Sequence, residues 1–286
     1  MSRANERLGV RKTYKLYING EFPRSESGRS YPALSAEGEV LARVGKGSRK
    51  DLRDAVRAAR GAQEKWAAKS GYNRGQILYR IAEMIEDRAS TFTEQLGLGG
   101  LTLARSRNEV SDSIDRMVWY AGWADKFTQI FGNLNPVAGP FFNVSTPEPT
   151  GVVGIIAPGT PALLGLVSRL APVIVSGNAA VVVASESQPL PAITFSEVLE
   201  TSDVPPGVVN ILTGSAEELV PWLSDHMDVN AVDLAGATPE VALRAQQGAV
   251  HNVKRLVGKN GFTDSQSPYL IAAFTETKTV WHPKGL

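Results

Sequence analysis

Four short turns hold the residues whose types and spacing could do chemistry: Ala157 to Thr160, Ala184 to Glu186, Thr213 to Ser215 and Ala235 to Thr238. Each follows an apolar, β-rich run and leads into a segment of helical periodicity. That places each at the carboxyl end of a predicted parallel strand, where open α/β sheets bind ligands. Gly214 and Gly236 would let a pyrophosphate approach a helix N-terminus, whose free N–H groups and dipole favour anions. Equally, each glycine could do no more than make its turn. Glu186 could hydrogen-bond ribose hydroxyls, or stand as a solvated carboxylate near a helix start. None of the four turns is a G-x-G-x-x-G motif, and none is a phosphate-binding loop with its lysine.

Other chemistries find little support. The three histidines, His226, His251 and His282, are far apart and lack metal-ligand spacing. Ser224-Asp225-His226 has the residue types of a hydrolytic triad, but sequence neighbours do not converge as a triad must. The chain has no cysteine, which excludes disulfides, thiolate metal sites and a cysteine nucleophile. Thirty basic residues against 29 acidic ones leave a net charge of +1. No long-range field therefore invites nucleic acid or an anionic membrane. The basic first dozen residues are followed by no apolar core of a signal peptide, so residues 1–12 read as a flexible tail and the chain as cytoplasmic.

The elements that must position these turns are organised around Gly151 to Glu186. Val152 to Ile156 reads as a strand buried on both faces. Thr160 and Pro161 offer an N-cap and a first helical residue, and Leu163 to Ile174 recur at helical spacing. Gly177-Asn178 closes that helix, and Ala180 to Val183 is a second strand. This is a βαβ unit. Read as a membrane span, it would be broken by Pro158, Pro161 and Pro172.

Upstream, Asn19-Gly20 marks a hairpin between Tyr14–Ile18 and Glu21–Phe22. A second extended pair turns near Glu37-Gly38. Ser48 and Asp51 form a capping-box-like start for a helix burying Leu52, Ala55, Val56, Ala59 and Trp66. A helix capped by Ser70 is predicted to run on through Ile85, Phe92 and Leu96, and another from Thr102 to Phe127. Trp119, Tyr120 and Trp123 read as packing rather than a cofactor platform. Pro140 to Thr146 is extended, and the prolines after it suit a sheet edge or an arm. Downstream the α/β alternation continues through strands at Val208–Leu212, Val229–Leu234 and Val253–Val257. A final extended segment runs from Tyr269 to Trp281.

Taken together, these residues resemble the aldehyde dehydrogenase superfamily. The likeness lies in LYINGEF (Leu16 to Phe22), YAGWADK (Tyr120 to Lys126), EPTGVVGIIAP (Glu148 to Pro158), LAPVIVSGNAAVV (Leu170 to Val182), PPGVVNILTG (Pro205 to Gly214) and FTETKTVW (Phe274 to Trp281). The resemblance implies a Rossmann-like doubly wound parallel sheet over residues 13–135 and 150–258, the family's NAD-binding domain. It also implies an oligomerisation arm formed by residues 136–149 and 262–286. In the family, the strand at Val253–Val257 leads into a general-base glutamate and a catalytic domain with the nucleophilic cysteine. Here a short link leads almost directly to the terminal strand, so the catalytic domain is expected to be absent.

The family's working residues are replaced as well. Pro158-Gly159 stands before Thr160-Pro161 where the family has Trp-Asn before Phe-Pro. Val183 stands for the lysine that reaches the adenosine ribose, and Ala235 and Ala237 for the threonine and serine of the Thr-Gly-Ser turn. Glu186 matches the ribose-binding glutamate. The resemblance thus implies an inactive, structural or regulatory subunit with no cofactor or only weak NAD binding. It is similar to the truncated second module of two-module members. Its expected partner is a full-length aldehyde dehydrogenase, or a second copy of itself, joined through the helix Pro239–Asn252 and the strands Pro140–Thr146 and Tyr269–Trp281. Alternatives are a nucleotide-binding NAD(P) sensor and an active NAD-dependent oxidoreductase using other residues.

Overall fold

The computed structural model describes residues 12–258 and 266–285. Nearly all of the expected tail, and part of the link into the terminal segment, lie outside the described residues. In chain order, β1 (Thr13–Tyr14), β2 (Ser30–Leu34) and β3 (Val40–Gly45) make a small sheet in the order β1-β3-β2. The Asn19-Gly20 turn forms, both residues taking left-handed backbone (φ 55° and 74°). Its flanks, however, shrink to one Ile18–Glu21 bridge. Tyr17 is drawn away, exchanging main-chain hydrogen bonds with Ile211 at 3.0 and 2.7 Å.

The helical part follows. α1 (Arg49–Ala67) opens on the predicted capping box, Ser48 accepting from the Asp51 N–H and Asp51 from the Ser48 N–H. The expected continuous helix after Ser70 is two, α2 (Gly71–Asp87) and α3 (Ala89–Leu98), with Arg88 leaving helical geometry between them. The bend keeps Phe92 and Leu96 as fully buried as Ile81 and Ile85. The helix expected over Thr102–Phe127 is likewise shorter. α4 (Leu103–Ala121) ends at Gly122, and a separate turn of helix, α5 (Phe127–Phe131), follows. On α4, Leu103 and Val118 are exposed, while Glu109, Ser113 and Arg116 are buried with Val110 and Met117.

β4 (Asn133–Asn135) and β5 (Phe141–Pro149) precede the central unit, β6 (Val152–Ile156), α6 (Ala162–Val175) and β7 (Ala179–Val183). Then come α7 (Leu190–Glu200), β8 (Val209–Leu212), α8 (Ala216–Asp225), β9 (Ala231–Asp233), α9 (Pro239–Ala249) and β10 (Arg255–Val257). The chain closes with α10 (Pro268–Ala273) and β11 (Thr275–Pro283). Five strands form a parallel sheet in the order β10-β9-β6-β7-β8, with every residue of β6 and β7 buried. One core under this sheet takes side chains from α2, α4, α6 and α7; the other takes them from α1, α8 and α9. This is the expected doubly wound, Rossmann-like fold. Strand order reverses between β6 and β9, so their carboxyl ends flank the crevice where such sheets hold ligands.

The third sheet is β11-β5-β4. Two expectations are corrected here. Tyr269–Ala273 is helix rather than strand, capped by Ser267 with Pro268 in its first turn, so only Thr275–Pro283 is extended. β5, expected at a sheet edge or in an arm rather than at a sheet centre, is the middle strand of the arm's own sheet. Main-chain bonds from Thr150 to Phe274 and from Lys284 to Pro140 turn the even-numbered residues of this strand towards β11. Pro147 and Pro149 therefore present their missing donors to the other side, beyond β4, which pairs only with Asn143 to Ser145. Among the described residues, no helix is long and apolar enough to cross a membrane.

Candidate functional site

The reversal point opens into a cavity of about 970 Å³. Pro158 to Pro161 after β6, and Ala235 and Gly236 after β9, form one side; Asp112, Asp115 and Arg116 of α4 and Leu164, Gly165, Ser168 and Arg169 of α6 form the other. How α6 begins sets the shape of this cavity. Thr160 was expected to cap the helix with Pro161 as its first residue, but the helix starts at Ala162 and Pro161 occupies the cap position without a side-chain bond. The carboxylate of Glu109, from α4, does the capping instead, accepting from the Leu163 N–H at 2.8 Å and the Leu164 N–H at 3.3 Å. Burial pushes the Glu109 carboxyl up, and these main-chain donors pull it back only in part. With its first N–H groups occupied, the α6 terminus is not free to hold an outside anion.

Behind the cavity wall lies a buried ion pair. Arg169 Nε donates to Asp233 Oδ2 at 2.7 Å, with the two side chains 2% and 0% exposed. Asp233 Oδ1 accepts the Ala235 N–H at 2.9 Å. Desolvation raises the Asp233 carboxyl and Arg169 opposes that rise. The other two guanidinium nitrogens of Arg169 are buried with no hydrogen-bond partner among the described residues. Beside them Arg116, also buried, donates from Nη1 to Ser168 Oγ at 2.8 Å. Its guanidinium has no carboxylate partner among the described residues.

The residues singled out from sequence divide between two places. Glu186 and Gly214 sit together beyond β7 and β8. Tyr31 of β2 feels both, its hydroxyl raised by burial and then by the Glu186 charge. Glu186 itself is exposed. Gly214 (φ 141°) packs on the neighbouring loop, where an added Cβ would lie 3.1 Å from the Gly47 nitrogen. Gly236 is at the cavity, apart from these two. A Cβ there would fall 2.2 Å from the Ala157 carbonyl oxygen, so the close approach at this glycine is to the β6 turn of the same chain. Val183 ends β7 wholly buried and supplies no donor. Glu109, Arg116, Arg169 and Asp233 were not assigned a role from sequence. The signals that could have found them were Arg169 alone in an apolar βαβ unit and Asp233 interrupting a strand.

Comparison with known proteins decides the family. The family model described as "Aldehyde dehydrogenase family" matches residues 24–280. The chain belongs to the aldehyde dehydrogenase family. It is 33% identical to human aldehyde dehydrogenase 1A1 over 265 residues, which is 91% of this chain and 52% of that protein. Among solved structures it is similar to HpcC from Thermus thermophilus, with a TM-score of 0.81 and 30% identity over 87% of this chain and 48% of that one. It also resembles the NAD+ complex of an aldehyde dehydrogenase from Bacillus cereus, with a TM-score of 0.81 and 25% identity, covering 86% of this chain and 50% of the other. The chain spans about half the length of the aldehyde dehydrogenases it matches.

Proposed function

We propose that this aldehyde dehydrogenase relative is a catalytically inactive subunit that assembles with a full-length, cysteine-bearing member of the family and stabilises or regulates it. The observation that carries the reading is internal to the chain. β10 and the terminal α10–β11 segment are joined by residues 258–267 alone, and the family match continues across that link to residue 280. The reading takes the half of the relatives that this chain does not span to be the part that would lie between those elements. No cysteine remains anywhere in the chain to act as nucleophile. On this reading it is similar to the truncated second module of two-module relatives. A cytoplasmic location goes with this reading.

The reading takes NAD to bind weakly or not at all. An apolar Val183 cannot replace a cationic hydrogen-bond donor, and the close approaches at Gly214 and Gly236 are filled by this chain's own backbone. Those residues do not fit a dinucleotide, even though the Bacillus cereus relative holds NAD+.

The surfaces available for assembly are the helix Pro239–Asn252 and the β11-β5-β4 arm. On one face of the arm, Leu134, Val144 and Val280 lie opposite one another across the three strands, 68%, 42% and 46% exposed. An arm with two open edges and an apolar ladder is suited to β-augmentation of a partner sheet. Co-expression with a full-length relative and size-exclusion chromatography test this. Co-elution, lost in Val144→Asp without loss of folding, is the expected result; separate elution at micromolar concentration overturns the proposal.

A further inference from the structure

We propose that the groove between α1 and the Pro205-Pro206 turn docks an acidic peptide segment of another protein, its carboxylates held by Arg57, Lys65 and Lys69. The groove has a volume of about 560 Å³ and runs along the outer face of α1. Arg57, Gly61, Lys65 and Lys69 recur at four-residue intervals, so they form one ridge of the helix about 18 Å long. The three cations are exposed, and the residues lining the groove include no carboxylate. None of the three side chains enters an ion pair or a hydrogen bond among the described residues. The nearest acid up the same face, Asp54, is already held by Arg53 at 2.8 Å. Glu64, on the neighbouring ridge, lies outside the lining; set against the three cations it still leaves two positive charges unmatched. Charge complementarity therefore calls for an acidic occupant.

Gly61 is the second observation. It lies well inside a 19-residue helix, where glycine is a poorer choice than any residue but proline. At two glycines of α2 the chain's own packing supplies the reason. A Cβ on Gly71 would fall 2.4 Å from the Ala124 carbonyl oxygen, and one on Gly75 3.0 Å from that of Ala121. A Cβ on Gly61 would meet nothing within 4 Å among the described residues. The missing side chain serves no contact within this chain and leaves the groove open between the cations. Ala58 and Ala62 keep the floor shallow and apolar, and Pro205 and Pro206 wall it. The occupant that fits is a segment with carboxylates on either side of an apolar side chain, about five or six residues long if extended. Trp66 beneath the floor is 1% exposed, so it offers no open face on which a base could stack, which weighs against single-stranded nucleic acid. This inference rests on the α1 surface alone, not on assembly with a full-length relative.

Fluorescence anisotropy with the purified full chain tests the proposal. The probes are a short labelled peptide of glutamates and leucines, the same peptide with glutamine for each glutamate, and oligothymidylate of equal length. The glutamate peptide is expected to bind saturably, with a Kd of about 100 μM or tighter at low salt, and more weakly as salt is added. Lys65→Glu combined with Lys69→Glu should weaken it about tenfold or more. Lys278→Glu combined with Lys284→Glu, on the arm, changes the net charge equally and should leave the affinity unchanged. Gly61→Leu should weaken the peptide about tenfold or more by filling the groove, while raising the urea midpoint because leucine is the better helix former. Circular dichroism establishes that each variant is folded, and if the Lys65 and Lys69 pair is not, Gly61→Leu decides alone. Absence of saturable binding at millimolar peptide, equal binding of the glutamine peptide, tighter binding of oligothymidylate, an equal loss in the arm variant, or unchanged affinity in Gly61→Leu overturns the docking site.

Discussion

Removing the Glu109 carboxylate is the sharpest test of how the cavity is built. In Glu109→Ala the α6 terminus loses the acceptor for both Leu163 N–H and Leu164 N–H. Loss of an N-cap acceptor costs about 1 kcal/mol, and a buried N–H left unsatisfied costs about 1–3 kcal/mol more. The expected destabilisation is therefore about 2–4 kcal/mol. Glu109→Gln keeps an oxygen at the same place and should cost about 1 kcal/mol or less at neutral pH. The two proteins also differ in pH response. Because burial raises the folded-state pKa of Glu109 above its ordinary value of 4.5, the native state holds this proton more tightly than the unfolded chain. Its contribution to stability is fully present below pH 4.5 and is lost as pH rises through the folded value. Wild type should thus lose ground to Glu109→Gln between about pH 4.5 and pH 8. Urea unfolding of the three proteins at both pH values measures this. If Glu109→Gln costs as much as Glu109→Ala, or the gap between wild type and Glu109→Gln is the same at both pH values, the reasoning fails.

Two further substitutions probe neighbouring polar clusters. Asp51 accepts from Ser48 N–H at 2.8 Å, Ser25 Oγ–H at 2.7 Å and Glu26 N–H at 3.1 Å, so Asp51→Ala should lower stability by about 2–4 kcal/mol, read as a fall in the urea midpoint. For the Arg169–Asp233 pair, Arg169→Met and Asp233→Leu should each cost about 3–5 kcal/mol by stranding a buried charge, whereas joint replacement R169M with D233L should cost less than either. Additive losses in that double-mutant cycle would mean the two groups are not coupled.

How much of this was legible in the sequence depended on the distance over which each signal acts. The βαβ unit was readable because Val152–Ile156 and Ala180–Val183 are continuous apolar runs bounded by Pro, Gly and Asn. The Ser48–Asp51 cap was readable because both partners lie in one turn. Tyr269–Ala273 was misjudged since a short apolar run fits strand and helix equally; Ser267-Pro268 held the deciding helix-start signal. Thr160 looked like the cap of α6, but the true cap, Glu109, arrives from another helix 54 residues earlier, and no local pattern encodes that meeting. Arg169 and Asp233 were each visible as lone polar residues in apolar surroundings. Only the parallel register of β6 with β9, and the crossing of α6 beneath them, brings the two together.

The polar layer at this crossing bears on the assembly proposal. A buried ion pair with unsatisfied donors is a poor source of stability, so stability does not explain why α4, α6 and β9 each contribute a charge to one wall. The same wall touches the arm. Tyr120, whose hydroxyl burial pushes up to about 12 against the pull of Arg116 and Arg169, donates to the Ser267 carbonyl at 3.3 Å. Ser267 caps α10, the element that leads into β11, and Gln266 beside it lines the cavity. On the far side of the arm's root, Arg255 of β10 donates to the Ala273 and Thr275 carbonyls and pairs with Glu276. The arm is thus anchored at one end to the cavity wall and at the other to the last strand of the parallel sheet.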